Sequence, residues 1–173
     1  MIGIEAQLDR GSAMRYLIDG YNLLYALGLA RKNGGQAAWD RGRRQLLDWL
    51  ADRHGKSAGD VTVIFDAQNS LGGVVEEIHR GLHVLLDRGR TADDMIEDLL
   101  RAEKSPETLT VVSNDARVRE AATRRRATVR KCEEYVDALM EPRKSTAKTP
   151  ADEKDVHESA EERAEWMQAF GGR

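Results

Sequence analysis

The stretch YLIDGYNLLYALG, residues 16–28, decides how this chain reads. Tyr16, Leu17 and Ile18 suit a strand, Asp19 ends the run, Gly20 turns the chain, and Asn22 opens a segment of helical composition. A turn alone has no need of an acid and an amide one helical turn apart. In an open parallel α/β sheet the carboxyl ends of the strands share one edge, and ligands gather there. An acid at that edge with an amide behind it marks a site.

The pattern repeats along the chain. RYLID (15–19), VTVIFD (61–66), LHVLLD (82–87), LTVVS (109–113) and, more weakly, ATVRK (127–131) are short runs suited to a sheet buried on both faces. Between them lie helical segments: NLLYALGLAR (22–31), AAWDRGRRQLLDWLADRHG (37–55), TADDMIEDLLRAEK (91–104), DARVREAATRRR (115–126) and CEEYVDALM (132–140). Leu46, Leu47 and Leu50 give the second its apolar stripe, and Thr91 is the expected N-cap of the third. Strands alternating with helices predict an α/β fold around a mainly parallel sheet.

Composition sets the bounds. With 173 residues, 40% apolar and 33% charged, the chain has the makings of one domain. No apolar run approaches the roughly 18 residues of a membrane span, and residues 1–13 lack the apolar core of a signal peptide. A cytoplasmic setting is the expectation. Cys132 is the single cysteine, which excludes disulfide frameworks and thiolate zinc sites and fits a core position. His54, His79, His83 and His157 are scattered without ligand spacing. Residues 1–13 show neither period and read as an extension, disordered or non-native, with Met14 the expected natural start. The folded body then covers 14–141, followed by an acidic flexible tail over 142–173.

Asp19 and Asp66 end strands, Asp93 and Asp94 fall in the first turn of a helix entered from a strand, and Asp115 follows VVSN. Alone, each of these acids also reads as structural: Asp115 as a helix cap, Asp94 as a partner of the helix dipole. Together they converge on one edge, where carboxylates repel unless a cation, a shared proton or donors compensate them. Hard oxygen ligands without His or Cys favour Mg²⁺ or Mn²⁺ over zinc. Such an ion serves phosphodiester hydrolysis.

LIDGYN, VIFDA, TADDMIEDL and VVSND, in that order, resemble the NYN domain of the PIN-like nuclease superfamily, and most closely its bacterial YacP-like branch of endoribonucleases. The resemblance spans about Arg15 to Met140. It implies a PIN-like three-layer α/β/α sandwich, an Mg²⁺ or Mn²⁺ site and metal-dependent cleavage of RNA. By position, Asp19, Asp93 and Asp115 match the family's acidic cluster and metal ligands, Asn22 its motif asparagine, and Ser113 the residue that orients the last acid. Asp66 matches the second-strand acid. Asp94 stands where relatives often carry Glu, and AQNSLGG after Asp66 points to a different substrate loop. Some relatives act on messenger RNA in the setting of the ribosome, which makes mRNA decay and the ribosome expectations from the resemblance.

Charge points to the same partner. RVREAATRRRATVRK, residues 117–131, carries seven Arg or Lys against one Glu. Arg117, Arg124, Arg125, Arg126 and Arg130, with Arg88 and Arg90 leading into TADD, are the expected RNA-binding residues, reading the backbone through phosphate contacts. Residues 152–173 carry seven acids against three bases. Trp166, Met167 and Phe170, in an amphipathic segment over 160–170, are the expected anchors for a protein partner or for docking back onto the basic face. Two other functions stay open: a catalytically silent RNA-binding adaptor, and a haloacid-type phosphatase. The second needs a D-x-D nucleophile motif, and DGYN has Tyr21 in place of the second acid.

Overall fold

A computed structural model of the chain describes residues 14–30, 35–66 and 73–141. The expectations for residues 1–13 and for the tail, including Trp166, Met167 and Phe170, lie outside the described residues.

Six strands, β1 (Arg15–Asp19), β2 (Val61–Asp66), β3 (Val75–His79), β4 (Leu82–Asp87), β5 (Leu109–Val112) and β6 (Thr128–Arg130), form one sheet in the order β3-β4-β2-β1-β5-β6. All neighbours pair in parallel except β3 and β4, which form an antiparallel hairpin. Five helices flank the sheet: α1 (Gly20–Ala26), α2 (Gln36–His54), α3 (Ala92–Ala102), α4 (Ala116–Arg124) and α5 (Cys132–Met140).

Successive strand residues point to opposite faces, so each central strand feeds two cores. Ile18 and Phe65 join Leu23, Leu46, Leu50 and Tyr135 beneath α1, α2 and α5. Leu17 and Ile64 join Ile96, Leu100 and Val118 beneath α3 and α4. These side chains are almost wholly buried, each stabilising the fold by about 1.5–3 kcal/mol relative to exposure. The result is the three-layer α/β/α sandwich expected from the sequence. Cys132 lies in the first of these cores. Among the described residues no helix is long and apolar enough to cross a membrane.

The structure adds β3, which the sequence reading did not contain. Its residues are mostly exposed, and the hairpin turns through Arg80, which takes a positive φ of 48°. The hairpin is tied to α2 by His79 to Asp48 at 2.8 Å and Arg80 to Asp52 at 2.7 Å. Helix α1 is shorter than expected and stops at Ala26 rather than running to Arg31.

The amino edge of the sheet carries a buried ion pair. Arg15 Nη1 donates to Glu103 Oε2 at 2.9 Å and Arg15 Nη2 to Thr108 Oγ1 at 2.9 Å, while Glu103 Oε1 accepts from the Ser105 amide at 2.8 Å. Burial pushes the Glu103 carboxyl up, but the Arg15 guanidinium and the Ser105 amide outweigh it and hold the group below its ordinary range.

Candidate active site

The switch in strand order falls between β1 and β5, whose following helices α1 and α4 lie on opposite faces. Asp19 closes β1 there and is 1% exposed. It is the N-cap of α1: its Oδ1 accepts from the Asn22 backbone N–H at 3.1 Å. Its Oδ2 accepts from the Asn22 amide nitrogen and, at 3.2 Å, from Ser113 Oγ. Gly20 is required for close approach. A Cβ on it would stand 2.4 Å from the Phe65 ring, so the turn and the β2 end fit only without a side chain.

Across the switch, Ser113 is buried beyond the end of β5, and its Oγ also accepts from the Asp115 backbone N–H at 3.0 Å. One hydroxyl therefore links the two acids. Asp115 caps α4, its Oδ1 taking the N–H groups of Arg117 at 2.8 Å and Val118 at 3.2 Å. Its Oδ2 makes no hydrogen bond among the described residues. Asn114 fixes the following turn by accepting from the Cys132 N–H at 2.9 Å.

Asp93 and Asp94 occupy the first turn of α3, with Thr91 as N-cap accepting from the Asp94 N–H at 3.2 Å. Their surroundings differ. Burial, and then the charges of Asp19 and Asp115, push Asp93 up to about 6. Asp94 is exposed and held below its ordinary range by hydrogen bonds from Thr91 and from Arg117, whose Nη2 lies 2.9 Å from it. Asp19 is also raised, first by burial against the donors from Asn22 and Ser113, with a further contribution from Asp66. The charge of Asp66 acts on Asp19, and those of Asp19 and Asp115 act on Asp93, while Asp94 is paired with Arg117.

The arginines divide. Arg117 stays at this edge, paired with Asp94 and with Glu97 at 2.6 Å. Arg90 is a brace: it binds Asp87 Oδ2 at 3.1 Å and pairs with Asp98, while Asp87 Oδ1 holds the amides of Gly89 and Arg90. Arg88 is exposed on the same loop, and Arg130 ends β6 beside Ser113. Arg124, Arg125 and Arg126 are not brought together with the acids. Nine residues of α4 carry the chain about 13 Å back across the sheet. There Arg125 donates to the carbonyls of Leu100 at 3.1 Å and Glu103 at 3.0 Å, closing the end of α3. Arg124 and Arg126 are exposed at that far edge.

Sequence reasoning missed Asp87 as a loop anchor, although it ends a strand as Asp19 and Asp66 do. It also missed Arg43, whose guanidinium lies 5.9 Å from the centroid of the Phe65 ring. An arginine in the middle of a helix gives no local signal of such a contact.

The donor set is wholly carboxylate and amide oxygen, which suits a hard divalent cation. Among the described residues no three His, Cys, Asp or Glu side chains form a group ready to hold one ion. Mg²⁺ is usually held by one or two carboxylates and several waters, so oxygen donors of this kind suit it without a closed cage.

A mostly parallel six-strand sheet of this order, with an acid at the end of β1 and a hydroxyl joining it to the cap of α4, is the frame of the PIN-like NYN fold. The YacP-like NYN domain family matches residues 16–169, and the chain belongs to that family. Its fold is similar to the crystal structure of Rae1 (YacP) from Bacillus subtilis, with 23% identity, a TM-score of 0.57 and 72% of each chain covered. It is equally similar to a tryptophan-to-leucine mutant of that protein, with 23% identity, a TM-score of 0.55, and 72% of this chain and 73% of that one covered. No curated protein matches the chain.

Proposed function

We propose that this protein is a metal-dependent endoribonuclease that hydrolyses RNA phosphodiester bonds at the Asp19, Asp93 and Asp115 edge. The observation that carries this reading is the position of Asp93 beside Asp19 and Asp115, where burial first and then their two charges push its carboxyl up to about 6. Like charges gathered at a sheet edge destabilise the fold unless they serve a cation or a proton. Mg²⁺ or Mn²⁺, when bound there, supplies charge neutralisation at the phosphoryl group and a more acidic water.

The chain's own residues set the geometry. Asn22 and Ser113 hold both oxygens of Asp19 in one orientation. Asp115 uses Oδ1 for its cap, leaving Oδ2 for the proposed cation, and Arg117 compensates Asp94 and Glu97 so that the α3 side does not add its full negative charge. Asp66 acts through Asp19 and its own strand end. Arg88 and Arg130 are proposed to meet the RNA backbone. Trp166, Met167 and Phe170 are proposed to dock a protein partner or the ribosome, and the cytoplasm is the proposed setting.

The test is incubation of the full chain with end-labelled single-stranded RNA and Mg²⁺, Mn²⁺ or EDTA. Internal cuts that disappear with EDTA and with Asp19→Asn are expected. Cuts that persist in EDTA would overturn the reading. The lack of a three-donor group among the described residues favours a second reading, a silent RNA-binding adaptor, which predicts binding without cleavage under every metal.

A further inference from the structure

Beside the carboxylates stands a wall of aromatic rings that none of the roles above uses. Of the chain's three Trp, four Tyr and two Phe, four residues gather here. Tyr21 and Tyr25 are one turn apart on α1 and share a face. Trp39, near the start of α2, packs edge-to-face against both, at 5.1 Å from Tyr21 and 5.5 Å from Tyr25. Tyr21 meets Phe65 at 5.4 Å, and Arg43 lies over that ring on its other contact. A core cluster would be buried throughout, yet Tyr25 is 43% exposed and Tyr21 and Trp39 are only half-buried.

Two further features tie the wall to the site. Asp66 follows Phe65 directly, and after burial its charge contributes to raising both Tyr21 and Asp19, so rings and acids adjoin. Arg43 forms no ion pair among the described residues, and its Nε is buried without a hydrogen-bond partner. An arginine without an ion pair among the described residues, lying against the Phe65 ring that Asp66 follows, is suited to a phosphate.

We propose that Tyr25 and Trp39 stack unpaired bases of single-stranded RNA while Arg43 holds the intervening backbone phosphate, leading the strand to the carboxylates. This rests on the ribonuclease reading and narrows its substrate. A duplex keeps its base faces inside the stack, whereas unpaired bases present them to aromatic side chains. Stacking is tolerant of sequence, so the wall selects strandedness and leaves base identity open.

The experiment is fluorescence anisotropy of the full chain with a labelled single-stranded oligoribonucleotide, in EDTA so that nothing is cut, alongside an abasic oligomer of equal charge. Tyr25→Ala should weaken binding of the normal strand about 10-fold, the scale of one lost stacking contact. Tyr25→Phe should retain it. The abasic strand should bind the wild type and Tyr25→Ala equally, and Arg43→Gln should weaken both strands. Normal binding by Tyr25→Ala, or an equal loss on the abasic strand, would overturn the stacking role. If EDTA-sensitive cutting persists in that case, the ribonuclease reading survives. If the wild type neither binds nor cuts RNA, both fall.

Discussion

The two ends of the sheet use the same kinds of residue to opposite ends. At the amino edge a buried charge meets its opposite: Arg15 and Glu103 satisfy each other, Thr108 and Ser105 take up the remaining valences, and Arg125 closes the neighbouring helix. At the carboxyl edge buried and half-buried acids meet acids, and Asp19 and Asp93 are both raised, first by burial and then by the neighbouring carboxylates. Paired charge marks an edge that holds the fold together. Like charge gathered at the other edge marks the place where the proposed cation would act.

The largest effect should come from breaking the paired edge. Glu103→Gln leaves Arg15 buried without its anion, which costs about 3–5 kcal/mol of stability by denaturant titration. Cleavage per folded molecule should not change. At the other edge the pattern reverses. Asp19→Asn should lower cleavage by about 100-fold or more while the fold melts no earlier than the wild type, measured by RNA cleavage and thermal unfolding side by side. A variant that lost stability and kept its activity would place Asp19 with the structural acids.

Asp93 sharpens the contrast through pH. Its carboxyl ionises at about 6 in the fold and near 3.9 in the unfolded chain. The stability from keeping it neutral is fully present below about pH 4 and is lost as pH rises through about 6. The metal-free protein should therefore be about 1 kcal/mol less stable at pH 7.5 than this group would allow at pH 4, after discounting for solvent screening of a half-exposed side chain. Asp93→Asn should flatten that part of the profile. Because a cation competes with the proton for the same oxygens, the acid limb of cleavage should move to lower pH as Mn²⁺ rises. The smallest effect concerns the arginines: Arg88→Gln should reduce the salt slope of RNA binding by about 0.7, while Arg124→Gln with Arg126→Gln at the far edge should leave it unchanged.

Four of the six strands, β1, β2, β4 and β5, were legible because their residues are largely buried on both faces, which leaves apolar runs, while the more exposed β6 gave a weaker signal. Strand β3, VEEIH, is an edge strand with exposed Glu76, Glu77 and Ile78, and so gives no apolar signal. The acids were legible for a related reason: each falls at the end of a strand or the start of a helix, and topology alone sends those points to one edge. The arginines misled because nearness along the chain was read as nearness in space. Seven helical residues lie between Arg117 and Arg125 and carry the two to opposite edges. The aromatic wall was invisible for the converse reason, since Tyr21, Tyr25 and Trp39 meet only when α1 and α2 pack.

The hydroxyl of Ser113 reaches Asp19 across 94 residues, and Arg15 reaches Glu103 across 88. Contacts this distant close late in folding, because the loop entropy must be overcome before they form. During synthesis the N-terminal strand emerges with its acid long before Ser113 and Asp115 have left the ribosome. A half-made chain therefore carries Asp19 without the residues that orient and complete it. The order of elements along the polypeptide acts as a timer, arming the site only when nearly the whole folded body is present.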